Sequence, residues 1–164
     1  MIESIDIQGG GLFQIAEPEA TRKQRRKVGK AIGIDLGTTH SLVAIAPRGD
    51  GPQVLLDEEG HALLPSVVSY AGGHPVVGRA ALAVAVDHPE QVLSSVKRFM
   101  GRGPADIDFE HPYRLADDAQ VVRLEVADEG QPPRQVSPVE VSARILEVLA
   151  QRAAAGRGEV TGAV

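Results

Sequence analysis

The chain has 164 residues, 43% of them hydrophobic and 24% charged, which suits one buried core and excludes a disordered polypeptide. It contains no cysteine, so disulfides and thiolate ligation of zinc or an iron–sulfur cluster are excluded within it. The formal net charge of −5 is uneven: residues 1–30 hold six bases against four acids, and the acidic remainder, with few aromatics in the chain, argues against a nucleic-acid platform.

Residues 1–30 read as a flexible basic leader. Gly9-Gly10-Gly11 is a flexible run, and Thr21 to Lys30 is basic without apolar periodicity. Such a segment either contacts an acidic partner or nucleic acid, or is a solvated lead-in to the first strand. The second reading is preferred, because terminal segments are commonly untethered. No apolar run has the length of a membrane span and no signal-like apolar block opens the chain, so a soluble cytoplasmic protein is expected.

The most informative stretch runs from Ile32 to Ile45. Two apolar runs flank Asp35-Leu36-Gly37-Thr38-Thr39-His40, the pattern of a buried strand, a tight bend and an antiparallel partner. Gly37 is expected to supply positive φ and open space at the bend. Peptide N–H groups turned away from the ladder, with the Thr38 and Thr39 hydroxyls, would form a concave donor set suited to phosphate oxygens. Asp35, at the strand end beside them, is placed to hold a hard cation such as Mg²⁺. The same residues also suit an ordinary tight hairpin, and spacing alone leaves both readings open.

Beyond the hairpin, Pro47 to Pro52 is dense in turn formers, Gln53–Leu56 reads as a strand, and Asp57 to Gly60 ends it. Residues 66–70 and 75–77 outline a second hairpin. Gly73 to Ala80 has nearly the spacing of a phosphate-binding P-loop, but Pro75 lacks a donor, Arg79 replaces the lysine and Ala80 cannot hold Mg²⁺, so that reading is rejected. Arg79 to Val86 is expected to be helical. A helix over Glu90 to Met100 is predicted from Val92, Leu93, Val96 and Met100, with Lys97 and Arg98 complementing its dipole. Residues 103–137 read as loop-rich with one strand over Val121 to Ala127, and Asp106, Asp108, Glu110 and His111 as solvated loop residues. Ser137-Pro138-Val139-Glu140 is a helix start, with cap hydroxyl, first-turn proline and glutamate three residues on. Val141, Ile145, Val148 and Leu149 form its buried stripe, Gly156 and Gly158 its end, and Val160 to Val164 a further strand.

Hairpin, third strand, insertion, helix and final strand suit an α/β fold with a mixed sheet better than a doubly wound parallel one. On the residues alone, a phosphotransferase fragment is the furthest reading that the pattern allows.

Two strings carry a resemblance. GIDLGTT followed by SLVA, from Gly33 to Ala44, resembles the first phosphate-binding motif of the actin-like ATPase superfamily in its DnaK-type, heat-shock protein 70 version. VKRFMGR at Val96 to Arg102 resembles the segment of that family whose lysine reaches back to the nucleotide. The leader string Leu12 to Pro18 and the helix string VSPVEVSARIL are similar to the branch of the family specialised in iron–sulfur cluster assembly.

The resemblance implies an actin-like, ribonuclease-H-like mixed sheet forming a partial first lobe of a nucleotide-binding domain. Residues 31–60 and 131–164 would make its lower subdomain and 61–130 its upper. It implies ATP and Mg²⁺ as cofactors: Asp35 organises the metal, Gly37, Thr38 and Thr39 hold phosphate, and Lys97 is the catalytic cation that places the attacking water and stabilises charge on the γ-phosphoryl group. His40 stands where many members have Asn or Tyr. The implied partners are ATP or ADP, a J-domain co-chaperone and an iron–sulfur scaffold protein, with neither nucleic acid nor membrane.

The resemblance covers only the opening of the family's nucleotide-binding domain; the second phosphate loop, adenosine segment, second lobe and peptide-binding domain are not in this sequence. Two expectations compete, the N-terminal part of an ATP-driven chaperone or a truncated, inactive remnant. A third, a fragment of another actin-like phosphotransferase, fits the VKRFMGR string poorly. An apolar sheet edge left open at Val164 would predict marginal stability or aggregation.

Overall fold

A computed structural model describes residues 30–47, 49–116, 120–128, 131–157 and 160–164. The basic leader before Lys30 and Gly158 therefore lie outside the described residues. The central hairpin forms as expected. β1 (Lys30–Asp35) and β2 (His40–Ile45) pair antiparallel, with Ile34 opposite Val43 and Asp35 opposite Leu42. Along β2 the buried residues are Ser41, Val43 and Ile45, the period-two alternation of a strand with one face on the core.

β3 (Gln53–Val54) pairs with the end of β2, and β4 (Leu64–Pro65) with its beginning, placing Pro65 opposite His40. On the other side β11 (Val160–Ala163) lies parallel to β1. The order β11-β1-β2-β3 is thus a mixed sheet. A second sheet has the order β6-β5-β7, from β5 (Val67–Ser69), β6 (Val76–Val77) and β7 (Val92–Ser94). A third runs β10-β9-β8, from β8 (Arg114–Leu115), β9 (Leu124–Asp128) and β10 (Gln131–Val136).

Two α-helices, α1 (Arg79–Ala83) and α2 (Pro138–Arg157), accompany these sheets. The start of α2 is the expected reciprocal cap. Ser137 N–H donates to Glu140 Oε2 at 2.6 Å, and Glu140 N–H donates to Ser137 Oγ at 3.1 Å. Val141, Ile145, Leu149 and Ala153 are buried at intervals of four, while Val148 is half-buried and Glu140, Arg144, Glu147 and Gln151 face outward. This stripe packs into one core with Ile32, Val43 and Ile45 of the first sheet, Val68 and Leu93 of the second, and Leu124, Val126 and Val136 of the third. A smaller cluster of Val67, Ala81 and Val92 seats α1.

Several expectations are corrected. No α-helix spans Glu90 to Met100. The chain makes a 3-10 turn at Pro89–Gln91, then β7, then a second 3-10 turn at Val96–Phe99. Pairing of Val92, Leu93 and Ser94 with β5 overrides the helical spacing of the apolar residues. Lys97 and Arg98 therefore complement no α-helix dipole, and Met100, one of the apolar residues from which that helix was predicted, is 37% exposed. α1 is shorter than expected, and Gln53–Leu56 is strand only at its first two residues.

The segment 103–137 holds three strands rather than one. β10 was hidden by Pro132 and Pro133, which lack N–H donors. It is an edge strand with irregular register between Gln131 and Arg134, where prolines are tolerated. Gly156 lies within α2 rather than ending it. The strand expected after Val160 forms, but Gly162, Ala163 and Val164 are exposed.

Candidate functional site

Between β1 and β2 the chain reverses over Leu36, Gly37, Thr38 and Thr39, and two buried hydroxyls fix the reversal from below. Gly37 N–H donates to Ser41 Oγ at 3.2 Å, Ser66 Oγ donates to the Gly37 carbonyl at 2.9 Å, and the two hydroxyl oxygens are 2.9 Å apart. Since the single Ser66 proton is directed to Gly37, the Ser41 proton goes to Ser66, and the network is fully satisfied. Ser66 N–H also donates to the Thr39 carbonyl at 2.9 Å.

The reason for glycine at position 37 differs from the expected one. Gly37 is not among the positive-φ glycines; a Cβ there would instead overlap the backbone carbonyl oxygen of His40. Its N–H is also turned inward to Ser41, so it does not join an outward donor set. What the bend presents outward is the half-buried Thr38, the exposed Thr39 and, at the end of β1, the exposed Asp35.

Lys97 arrives from 61 residues away in sequence. Its Nζ donates to the Leu36 carbonyl, between Asp35 and Gly37, at 2.7 Å. The turn carrying it is anchored by the buried Val96 and Phe99. Arg98 does not share this direction; its guanidinium lies 3.8 Å from the Phe109 ring centroid, a cation–π contact. The Lys97 ammonium thus sits on the backbone of the bend whose neighbouring residues are Asp35, Thr38 and Thr39.

That set fits a magnesium-bound phosphate chain. Mg²⁺ commonly takes one or two carboxylates and fills the rest of its shell with water and phosphate oxygens, so a single acid suffices. No group of three or more His, Asp or Glu residues suited to a metal occurs among the described residues. Asp106, Asp108, Glu110 and His111 accordingly form no such cluster; His111 packs against Phe99 and Tyr113.

Ser41 and Ser66 are the supports of the bend that sequence reasoning missed. Ser41 lies on the buried register of β2, which was a usable signal, since a buried hydroxyl needs a partner. Ser66 gave none until β4 was seen to pair with the start of β2.

A second polar cluster holds the 55–62 loop against α2. Arg152 donates through Nη1 to the carbonyls of Ala62 at 3.1 Å and His61 at 3.3 Å, and its Nη2 lies 3.4 Å from Asp57 Oδ2. Asp57 Oδ1 accepts the His61 N–H at 2.7 Å and the Glu59 N–H at 3.1 Å. The His61 N–H, with help from Arg152, holds the Asp57 carboxyl below the usual carboxylate range. Glu140 is likewise held low, chiefly by the Ser137 N–H at the helix cap.

Comparison with known proteins shows the family. The family model described as Hsp70 protein matches residues 31–164. A chaperone protein HscA homolog of Methylococcus capsulatus is 46% identical over 93% of this chain and 24% of its own length. The HscA homolog of Laribacter hongkongensis is 50% identical and the chaperone protein HscA of Edwardsiella ictaluri 43% identical, with the same coverage. The chain therefore spans about a quarter of the length of these relatives. Its mixed sheet is part of an actin-like α/β lobe, the N-terminal ATPase region of that family. With the matched segment running through every described element from Ala31 onward, the chain belongs to the Hsp70 protein family.

Proposed function

We propose that this chain supplies the first phosphate-binding edge of an ATP-dependent chaperone of the HscA kind. Asp35 holds Mg²⁺ directly or through water, Gly37 sets the bend, and Thr38 and Thr39 donate to phosphate. Lys97 is the catalytic cation. Mg-ATP held by Asp35, Thr38 and Thr39 would supply the phosphoryl group and a metal ion that would offset its negative charge. The chain's own part is positioning: a rigid bend, two hydroxyl donors, and an ammonium held where charge develops and where an attacking water is oriented.

The observation that supports this reading is the 2.7 Å hydrogen bond from Lys97 Nζ to the Leu36 carbonyl, which commits a cation to the same bend as the acid and hydroxyls. A lysine present only for solubility has no reason to settle there. The subdomain division goes with it: residues 31–60 and 131–164 form the lower subdomain and 61–130 the upper, with β10 leading back from β9 into α2.

By the same reading the whole protein is cytoplasmic. It couples ATP hydrolysis to protein folding and iron–sulfur cluster assembly with a J-domain co-chaperone and an iron–sulfur scaffold protein. The relatives' names, chaperone protein HscA, and the family match support the chaperone part of this reading. Titration with a fluorescent ATP analogue in the presence and absence of Mg²⁺ tests the site. Saturable, Mg²⁺-dependent binding that Thr38→Val with Thr39→Val weakens at least tenfold is expected, and binding indifferent to both threonines and to Mg²⁺ would refute it.

A further inference from the structure

Lys97 reaches the bend from a turn with an unusual start. Ser95, just before the Val96–Phe99 turn, sits at φ 55° and ψ 25°, the one positive-φ residue other than glycine among the described residues. A serine in the left-handed region is strained, and no side-chain hydrogen bond caps the turn it opens. The conformation must be imposed from outside.

The residue before it shows how. Ser94 ends β7, an edge strand of its sheet. One hydroxyl, that of Tyr113, engages it completely: it accepts the Ser94 N–H at 2.8 Å, donates to the Ser94 carbonyl at 2.9 Å, and lies 3.0 Å from Ser94 Oγ. Here a side chain takes the place of a neighbouring strand. The Tyr113 ring is itself fixed, stacked on His111 with centroids 6.3 Å apart and edge-on to Phe99 at 6.0 Å. At the far end of the turn Phe99 is buried, with the Phe109 ring 5.0 Å away. Lys97 lies between these two anchors, and the left-handed step at Ser95 sets the direction in which it leaves.

We propose that Tyr113 is a positioning residue for Lys97: its hydroxyl holds Ser94 and so the Ser95 turn, which keeps the Lys97 amine at the phosphate-binding bend. This rests on the reading of Lys97 as the cation that acts on the transferred phosphoryl group. The Tyr113 hydroxyl bonds Ser94 and not the bend itself, so its effect passes through the backbone of residues 94–96. Mutating it therefore moves the chemical step and leaves nucleotide affinity almost untouched.

The test is a double-mutant cycle on Mg-ATP hydrolysis by the full-length protein, with folding of each variant checked by circular dichroism. Tyr113→Phe is expected to lower kcat about five- to tenfold while KM for ATP stays within about twofold, and to have no further effect in a Lys97→Ala background. An unchanged kcat, or an equal loss in both backgrounds, overturns the proposal while leaving the role of Lys97 intact. An unchanged kcat in Lys97→Ala alone removes the reading of Lys97 and the proposal with it. Should Tyr113→Phe fail to fold alone, it is made in a Ser95→Gly background, because glycine adopts φ 55° without strain and relieves the turn. A kcat loss relative to Ser95→Gly alone, absent when Lys97→Ala is added, supports the proposal, and no loss overturns it.

Discussion

The Ser41 and Ser66 hydroxyls meet at 2.9 Å in the interior, and between them they bind both backbone polar groups of Gly37. One comes from β2 and the other from the step between β4 and β5, so the bend is tied to two separate parts of the chain. A bend with such a floor is set before any ligand arrives.

Ser66→Ala removes the partner of a buried carbonyl and of the Ser41 hydroxyl. A loss of about 1–3 kcal/mol in stability is expected, read by urea denaturation. The double variant with Ser41→Ala is expected to lose less than the sum of the single losses, because the two side chains serve one network. Strict additivity would mean that the pair is not coupled.

Gly37→Ala places a methyl group against the His40 carbonyl oxygen, and backbone cannot yield as a flexible side chain does. The bend must open, at a cost of about 1–3 kcal/mol, with Mg-ATP binding lost beyond the loss in stability. Isothermal titration at a temperature where the variant remains folded checks this. Unchanged affinity would show that the tightness of the bend is irrelevant to phosphate.

The hairpin and the long helix were legible in the sequence because local signals and tertiary packing agree there. The alternation along β2 and the Ser137–Glu140 cap each mean the same thing locally and globally. Val92 to Met100 was not legible, since its apolar spacing fits a helix and only pairing with β5 makes Val92–Ser94 a strand. β10 was masked by its prolines, which read as loop until the strand is seen to lie at an edge. At the bend, the reason for Gly37 was not legible: spacing suggests a backbone angle, whereas the structure shows a steric limit. The link from Lys97 to Leu36 joins residues 61 apart, and no local pattern encodes it.

Asp57 and Glu140 give the fold a defined acid limit. Both carboxyls are held below their ordinary range, Asp57 first by the His61 N–H and Glu140 first by the Ser137 N–H. The unfolded chain therefore binds protons at higher pH than the folded one. Their stabilisation is complete above about pH 5 and is lost as pH falls below about 4. Thermal denaturation from pH 3 to pH 6 is expected to show Tm rising with pH, with a shallower rise in Asp57→Asn. A slope identical in that variant would remove Asp57 from the account.

Arg152→Met tests the same clamp from the helix side. It leaves the Asp57 carboxylate without its guanidinium and the Ala62 carbonyl without the arginine donor, while the His61 carbonyl keeps the Asp57 N–H. Faster amide exchange confined to residues 55–62 is expected, with α2 retained. Uniform loss of protection across α2 would instead mean that Arg152 holds the helix rather than the loop.

The claim on which the others depend is that the Lys97 ammonium serves the bend built by Asp35, Gly37, Thr38 and Thr39. Single-turnover hydrolysis of Mg-ATP by the full-length protein, compared with Lys97→Ala, tests it most directly. The account predicts a fall in the rate of about 10²-fold or more, with nucleotide affinity changed far less. A rate that survives removal of the amine would contradict it.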